Sequence, residues 1–254
     1  MAATCKACDD PLVLTLDPED SGDEGQTVPD DLELPCGCHF HWQCLLDQSS
    51  EIVLSLKCPS CGAFLPTNAA GASVTNPFRP AAEATPILTR YANEGGVVDD
   101  LDIFPTLTEE AFLGAHPEAR PARAMHTMAA EGDVAGIVEL LMDVDSDSDV
   151  DATAAQLIRW TDPLNDGRSA LHVALESNQE EVFWLLLWLG SAVHTSVFPL
   201  AAAQGAEQLG LSRGQVSRDE DVRFIKDEAG CSPAQILSEL GPPWSIYVEA
   251  GLLN

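Results

Sequence analysis

Apolar residues in the second half of this chain recur at three- and four-residue intervals: Ile137, Val138, Leu140 and Leu141, then Val182, Phe183, Leu185, Leu186, Leu187 and Leu189. That is helical spacing. The Gly and Asp residues between the runs make short turns, so the pattern predicts short helix pairs in a repeat architecture over 121–254. Before it, Thr106-Leu-Thr-Glu109 has the form of a capping box and predicts a short helix that Pro117 ends. Residues from Pro66 to about Ile103 are rich in Ala, Pro, Thr, Asn and Gly, with prolines at 66, 77, 80, 86 and, just beyond, 105. This composition predicts a linker or extended arm, and 66–120 is read as a Pro/Ala-rich linker carrying the short helix.

Two acidic runs lack apolar periodicity and are expected as solvated loops: Asp17 to Gly25, and the Asp/Ser stretch Asp143 to Asp151. The second offers no EF-hand Gly and Glu at the required places, so a calcium site is rejected. The most apolar run, Val182 to Leu189, reaches the ~20 residues of a bilayer span only by extension through Ala203. Gly190, His194, Ser196 and Pro199 interrupt it and no basic flank orients it, so no membrane association is expected.

Charge narrows the function further. The 254 residues carry 41 acidic and 12 basic side chains, a net charge of -29. Phosphate backbones are held by Lys and Arg, so a nucleic-acid partner is excluded and any zinc finger here is expected to bind protein. Only Lys6, Lys57 and Lys226 are lysines, which leaves few acceptors for modification of the chain itself.

Cysteine placement carries the chemistry. Seven of eight lie in the first 61 residues: Cys5, Cys8, Cys36, Cys38, Cys44, Cys58 and Cys61, with Cys231 alone in the second half. No apolar run follows a basic N-terminus, so the expected setting is intracellular, cytoplasmic or nuclear, where paired cysteines mean metal before disulfide. Cys5-Lys-Ala-Cys8 and Cys58-Pro-Ser-Cys61 leave two residues between thiolates, so that one tight turn points both at one ion. His41-Trp-Gln-Cys44 repeats the spacing with an imidazole, and Cys36-Gly-Cys38 is a shorter pair whose Gly37 permits the tight backbone.

Four pairs in this order resemble a RING finger, a small zinc-stabilised α+β module, here over 1–65 with a ligand order of four cysteines, one histidine and three cysteines. RING-CH and PHD fingers share that order. The resemblance implies two zinc ions in a cross-brace: Cys5, Cys8, His41 and Cys44 on the first, Cys36, Cys38, Cys58 and Cys61 on the second. His39 offers a competing imidazole, but the family spacing and the softer thiolate favour Cys38.

Fingers of this family bind a ubiquitin-conjugating enzyme and promote ubiquitin transfer without a catalytic side chain of their own. The docking positions correspond to Ala7, Leu45 and Pro59. Three of the family's positions depart: Ala7 is small where Ile, Leu or Val is usual, Gln48 replaces a common Trp, and Gly62 stands where active members carry Arg. Ile52, Val53, Leu54 and Leu56 are expected in the core, with a share in the groove as the other reading.

Asp166 to Gly190 resembles one ankyrin repeat, carried by Gly167, Leu171, His172, Ala174, Val182, Leu185, Leu186 and Gly190. That resemblance makes His172 a structural residue linking neighbouring turns. Met125 to Leu141 reads as a weaker preceding repeat and Asp227 to Ile236 as the start of a later one, with Cys231 a free thiol in a turn. Together these imply an all-α ankyrin-like stack behind the finger. The expected function is a ubiquitin ligase that holds a conjugating enzyme through the finger and a protein substrate through the stack. A non-catalytic scaffold is the alternative, and a membrane-associated RING-CH-like ligase a third reading.

Overall fold

The computed structural model describes residues 3–16, 26–66, 86–146, 152–213, 215–242, 244–249 and 252. The acidic run expected over Asp17 to Gly25, the prolines at 77 and 80, and positions 147–151 lie outside the described residues. The chain forms two compact units, residues 1–116 and 117–254.

The first unit is built around a four-stranded antiparallel sheet. Strands β1 (Val13–Thr15) and β2 (Thr27–Pro29) form a small separate ribbon. Strand β3 (Asp31–Glu33) pairs with β4 (His39–Phe40) on one side, Leu32 opposite Phe40. Helices α1 (Trp42–Leu46) and α2 (Ser49–Ser55) follow. Ile52 and Val53 of α2 are fully buried and Leu56 closes the helix in the left-handed conformation (φ 55°), while Leu54 is 61% exposed. Three of these four apolar residues are thus core, and Leu54 is surface.

The described part of the expected linker is instead integral to this unit. Strands β5 (Leu88–Asn93) and β6 (Gly96–Asp102) form a hairpin that pairs onto β3, giving the sheet order β4-β3-β5-β6. The turn is Glu94-Gly95, a two-residue loop of the kind that Gly serves by tolerating the backbone twist. Helix α3 (Phe104–Ala115) then packs against α2, burying Leu107 and Ala111. It opens earlier than the Thr106 box, with Pro105 in its first turn and no side-chain cap, and stops just before Pro117. The reason is burial: Ile87, Ile103, Phe104 and Leu107 complete a core that Leu32, Leu34, Phe40 and Leu65 cannot close alone.

Asp30 fixes that attachment. It is almost fully buried and accepts from the Trp42 backbone N–H at the start of α1 and from the Tyr91 hydroxyl on β5 at 2.9 Å. Trp42 and Tyr91 stack at 4.9 Å between ring centroids. Burial and the Asp30 charge push the Tyr91 phenol up to about 12, which keeps the donated proton in place.

The second unit is helical. Helix α4 (Arg120–Glu131) turns through Gly132, left-handed at φ 83°, into α5 (Val134–Ser146). Helix α5 reaches through Asp143 to Ser146, further than the loop expected there, because Val144 is buried. Helix α6 (Ala154–Arg159) and two short strands, β7 (Thr161–Asp162) and β8 (Arg168–Ser169), lead to the pair α7 (Ala170–Glu176) and α8 (Glu180–Gly190). Helix α9 (Leu200–Gln208) packs on α8, and a last pair follows, α10 (Pro233–Glu239) and α11 (Trp244–Glu249). Helix α7 packs on α4 and on α10, so the leading helices of the three pairs stack in order.

Two of those leading helices open alike. Ser169 caps α7 in a reciprocal box with His172, and Ser232 caps α10 in one with Gln235. Their preceding loops bond directly: Glu228 N–H donates to the Asp166 carbonyl at 2.8 Å, and His172 Nε2 sits 3.3 Å from the Cys231 carbonyl. His172 is therefore structural, and Cys231 is an exposed free thiol. Val182 through Trp188 on α8 are all buried, because α6, α7 and α9 cover the helix. Among the described residues no helix is long and apolar enough to cross a membrane.

Candidate metal centres

Two clusters of four ligands assemble in the first unit, and each draws its pairs from alternate places in the sequence. Cys5, Cys8, His41 and Cys44 form one, Cys36, Cys38, Cys58 and Cys61 the other; within each, the ligand atoms all lie within 4.8 Å of one another. Four sulfurs about 2.3 Å from a tetrahedral ion are separated by roughly 3.8 Å, so both clusters have the size of a four-coordinate site.

Local backbone explains how each pair converges. In the first cluster the Ala7 and His41 backbone N–H groups both donate to Cys5 Sγ at 3.4 Å, and Lys6 N–H reaches the His39 carbonyl at 2.9 Å. These bonds clamp the Cys5–Cys8 turn to the end of β4. His41 is oriented from behind: its Nε2 donates to the Pro11 carbonyl at 2.9 Å, which leaves Nδ1 as the lone-pair nitrogen. Nδ1 lies 3.3 Å from Cys8 Sγ and 3.8 Å from Cys44 Sγ, inside the cluster.

In the second cluster Gly37 takes φ 77°, which lets one residue separate Cys36 from Cys38. The Cys58–Cys61 turn is closed by Cys58 N–H to the Ala63 carbonyl at 2.8 Å and by Gly62 N–H to the Cys58 carbonyl at 2.9 Å. His39 stays outside: its Nδ1 is 2.7 Å from Asp31 Oδ1 across the β3–β4 pair, so Cys38 fills the fourth position.

The electrostatics ask for a cation. Burial and the neighbouring thiols push Cys36 up to about 12, and burial with the Cys5 charge does the same to Cys44. Cys5 moves the other way despite burial, drawn down to about 7 by the N–H groups of Cys8, His41 and Ala7. The Ala63 backbone N–H draws Cys61 down to about 7 against the cost of burial. Each cluster thus sets one lowered thiol, Cys5 or Cys61, beside two raised ones, Cys8 and Cys44 or Cys36 and Cys38. A divalent ion removes that conflict by replacing the thiol protons, and soft sulfur donors in a tetrahedral set suit it.

The candidate docking residues separate on burial. Ala7 is exposed and Pro59 half-buried, but Leu45 is fully buried. Leu45 faces the core from α1 and holds the finger from beneath; it does not line a surface. Gln48 donates its side-chain amide to the Cys44 carbonyl at 3.0 Å, steadying a ligand turn. Gly62 is left-handed at φ 73° with open space where a side chain would stand. Asp30 and Tyr91, which brace the helix that follows His41, have no spacing signal in the sequence. No family model matches the chain, and neither does any curated protein or solved structure in the comparisons made.

Proposed function

We propose that the chain is a RING-type ubiquitin-protein ligase with an ankyrin-like substrate-holding half. The observation that carries the reading is the interleaving of the two ligand sets: first and third pairs on one centre, second and fourth on the other. In a cross-brace finger that arrangement spaces two loops rigidly apart and leaves a shallow surface between them. Cys5, Cys8, His41 and Cys44 would hold one zinc ion, and Cys36, Cys38, Cys58 and Cys61 the other. Zinc would supply folding energy and no reaction step.

In this reading exposed Ala7 and half-buried Pro59 meet the conjugating enzyme, with Leu54 and Phe64 as further exposed apolar area. A substrate amine attacks the carbonyl of the ubiquitin thioester, the enzyme's thiolate leaves, and an amide forms. The chain contributes position alone. The stacked leading helices α4, α7 and α10, with bonded loops before α7 and α10, support an ankyrin-like half that presents a protein-binding surface.

A non-catalytic scaffold is the second reading, favoured by Gln48 being turned onto the Cys44 carbonyl and by the missing side chain at Gly62. Discharge of ubiquitin from a panel of charged conjugating enzymes onto free lysine decides between them, run with the full chain and with Pro59→Ala. A ligase accelerates discharge and Pro59→Ala weakens it while both metal ions stay bound. A metal-loaded chain that accelerates none of the panel is a scaffold.

A further inference from the structure

From Val182 onward helix α8 is apolar on all sides, so whatever covers that stretch must be apolar too. Over most of its surface the cover is complete, but α9 brings a small-residue face: Ala201, Ala202, Gly205 and Ala206 stand opposite Trp184 and Leu185. Small side chains leave the space unfilled. The result is a groove of about 410 Å³, within the range that takes a bulky side chain or a small molecule. A Cβ built on Gly205 meets nothing within 4 Å. Leu209, just past the end of α9, lines the groove and is 43% exposed, and Leu200 at the start of α9 is 73% exposed and extends the apolar surface past it.

Its polar edge has one sign. Among the described residues Glu180 and Glu181 line the groove and no basic side chain does. Glu180 is braced by a hydrogen bond from the Tyr247 hydroxyl, and Glu181 is exposed. An apolar floor with two carboxylates at the mouth, one of them braced, is complementary to an apolar side chain followed by a cation.

We propose that this groove holds a cationic amphipathic peptide segment of a partner protein, one bulky apolar side chain seated on Trp184 and Leu185 and a Lys or Arg paired with Glu181. The proposal rests on the reading of the helical half as the part that holds a protein partner, and it names the place and the chemistry. A neighbouring segment of this chain is a poor occupant, since the chain carries 41 acidic residues to 12 basic.

The test uses the full chain and a fluorescent twelve-residue helical peptide of Leu, Ala and Arg, read by anisotropy. Two control peptides replace Leu by Ser or Arg by Glu. Gly205→Leu fills the groove, and it removes a glycine from a helix interior, so the fold is kept. Glu181→Lys and Glu239→Lys change net charge equally, but Glu239 lies outside the groove lining.

The expected result is saturable binding of the Leu/Arg peptide alone. Gly205→Leu weakens it by about tenfold or more, the worth of one buried Leu-sized contact. Glu181→Lys weakens it severalfold and Glu239→Lys far less. Equal binding of the Ser peptide, or equal loss in both Lys variants, reduces the attraction to net charge and overturns the proposal. Binding unchanged by Gly205→Leu puts the peptide elsewhere and overturns the groove, while leaving the helical half as partner holder. Discharge onto free lysine, which needs only the finger, is unaffected by Gly205→Leu in either case, so failure of the ligase reading is seen separately.

Discussion

Single side chains in this protein are asked to be neutral where water would charge them, and the clearest is His126. It is buried on α4, edge-on to Trp160 at 5.1 Å. Burial, and then the nearby Arg123 charge, bring it from 6.5 down to about 4. The unfolded chain takes up a proton near 6.5 and the folded one near 4. Stability is therefore complete above pH 6.5, falls as the pH drops between those values, and levels below 4. The loss approaches about 3 kcal/mol. Urea unfolding followed by tryptophan fluorescence at pH 7.5 and 4.5 should show it, and His126→Phe should remove most of the difference between the two pH values. At the centres, Cys36→Ser is expected to lower bound metal from two ions to one by mass spectrometry under native conditions, since its partners Cys38, Cys58 and Cys61 are left with three donors. Gly62→Arg is the opposite kind of change. The left-handed backbone costs a side chain about 1–2 kcal/mol, but the space is open. If the finger is a ligase, discharge onto free lysine should rise severalfold.

Helices and strands show where sequence reading succeeds. Coordination is local: two residues between cysteines are enough to see that two thiolates share an ion, so the ligand pairs were legible from spacing, while their grouping into two clusters came from the resemblance to a RING finger. Helix pairs were legible for the same reason, since their apolar period and the Gly132-Asp133 turn lie within a few residues of each other. The hairpin β5–β6 was not. Strand β6 is mostly exposed, with Val97 and Val98 about half exposed, so it carries no apolar alternation, and prolines nearby argue for a linker. The Asn93-Glu-Gly-Gly96 turn was the available signal. What makes the hairpin part of the finger is tertiary, the Asp30–Tyr91 bond and the burial of Ile87, Ile103 and Leu107. A fragment ending at residue 70 therefore lacks three fully buried side chains, each worth about 1.5–3 kcal/mol, and uncovers the core residues they pack on. Residues 1–116 loaded with zinc should unfold in one cooperative transition by circular dichroism, and residues 1–70 should not. Tyr91→Phe in the longer fragment is expected to cost about 1 kcal/mol.

At the scale of the whole molecule the dominant quantity is charge. A chain of -29 repels itself when folded. Added salt shortens the range of that repulsion, to about 8 Å at physiological ionic strength, so thermal stability should rise between low and physiological salt. A fall would mean that surface ion pairs such as Arg168–Glu176 at 3.1 Å outweigh the repulsion.

The alternation of ligand pairs along the chain has a mechanical meaning as well. Between Cys8 and Cys36 the polypeptide is one link joining two pieces, and the first centre is another, because Cys5 and Cys8 sit on one piece and His41 and Cys44 on the other. A protease that cuts the chain there severs a covalent tether and leaves a coordination tether behind. The nicked finger would travel as one particle until a chelator arrived, and would then come apart into two peptides.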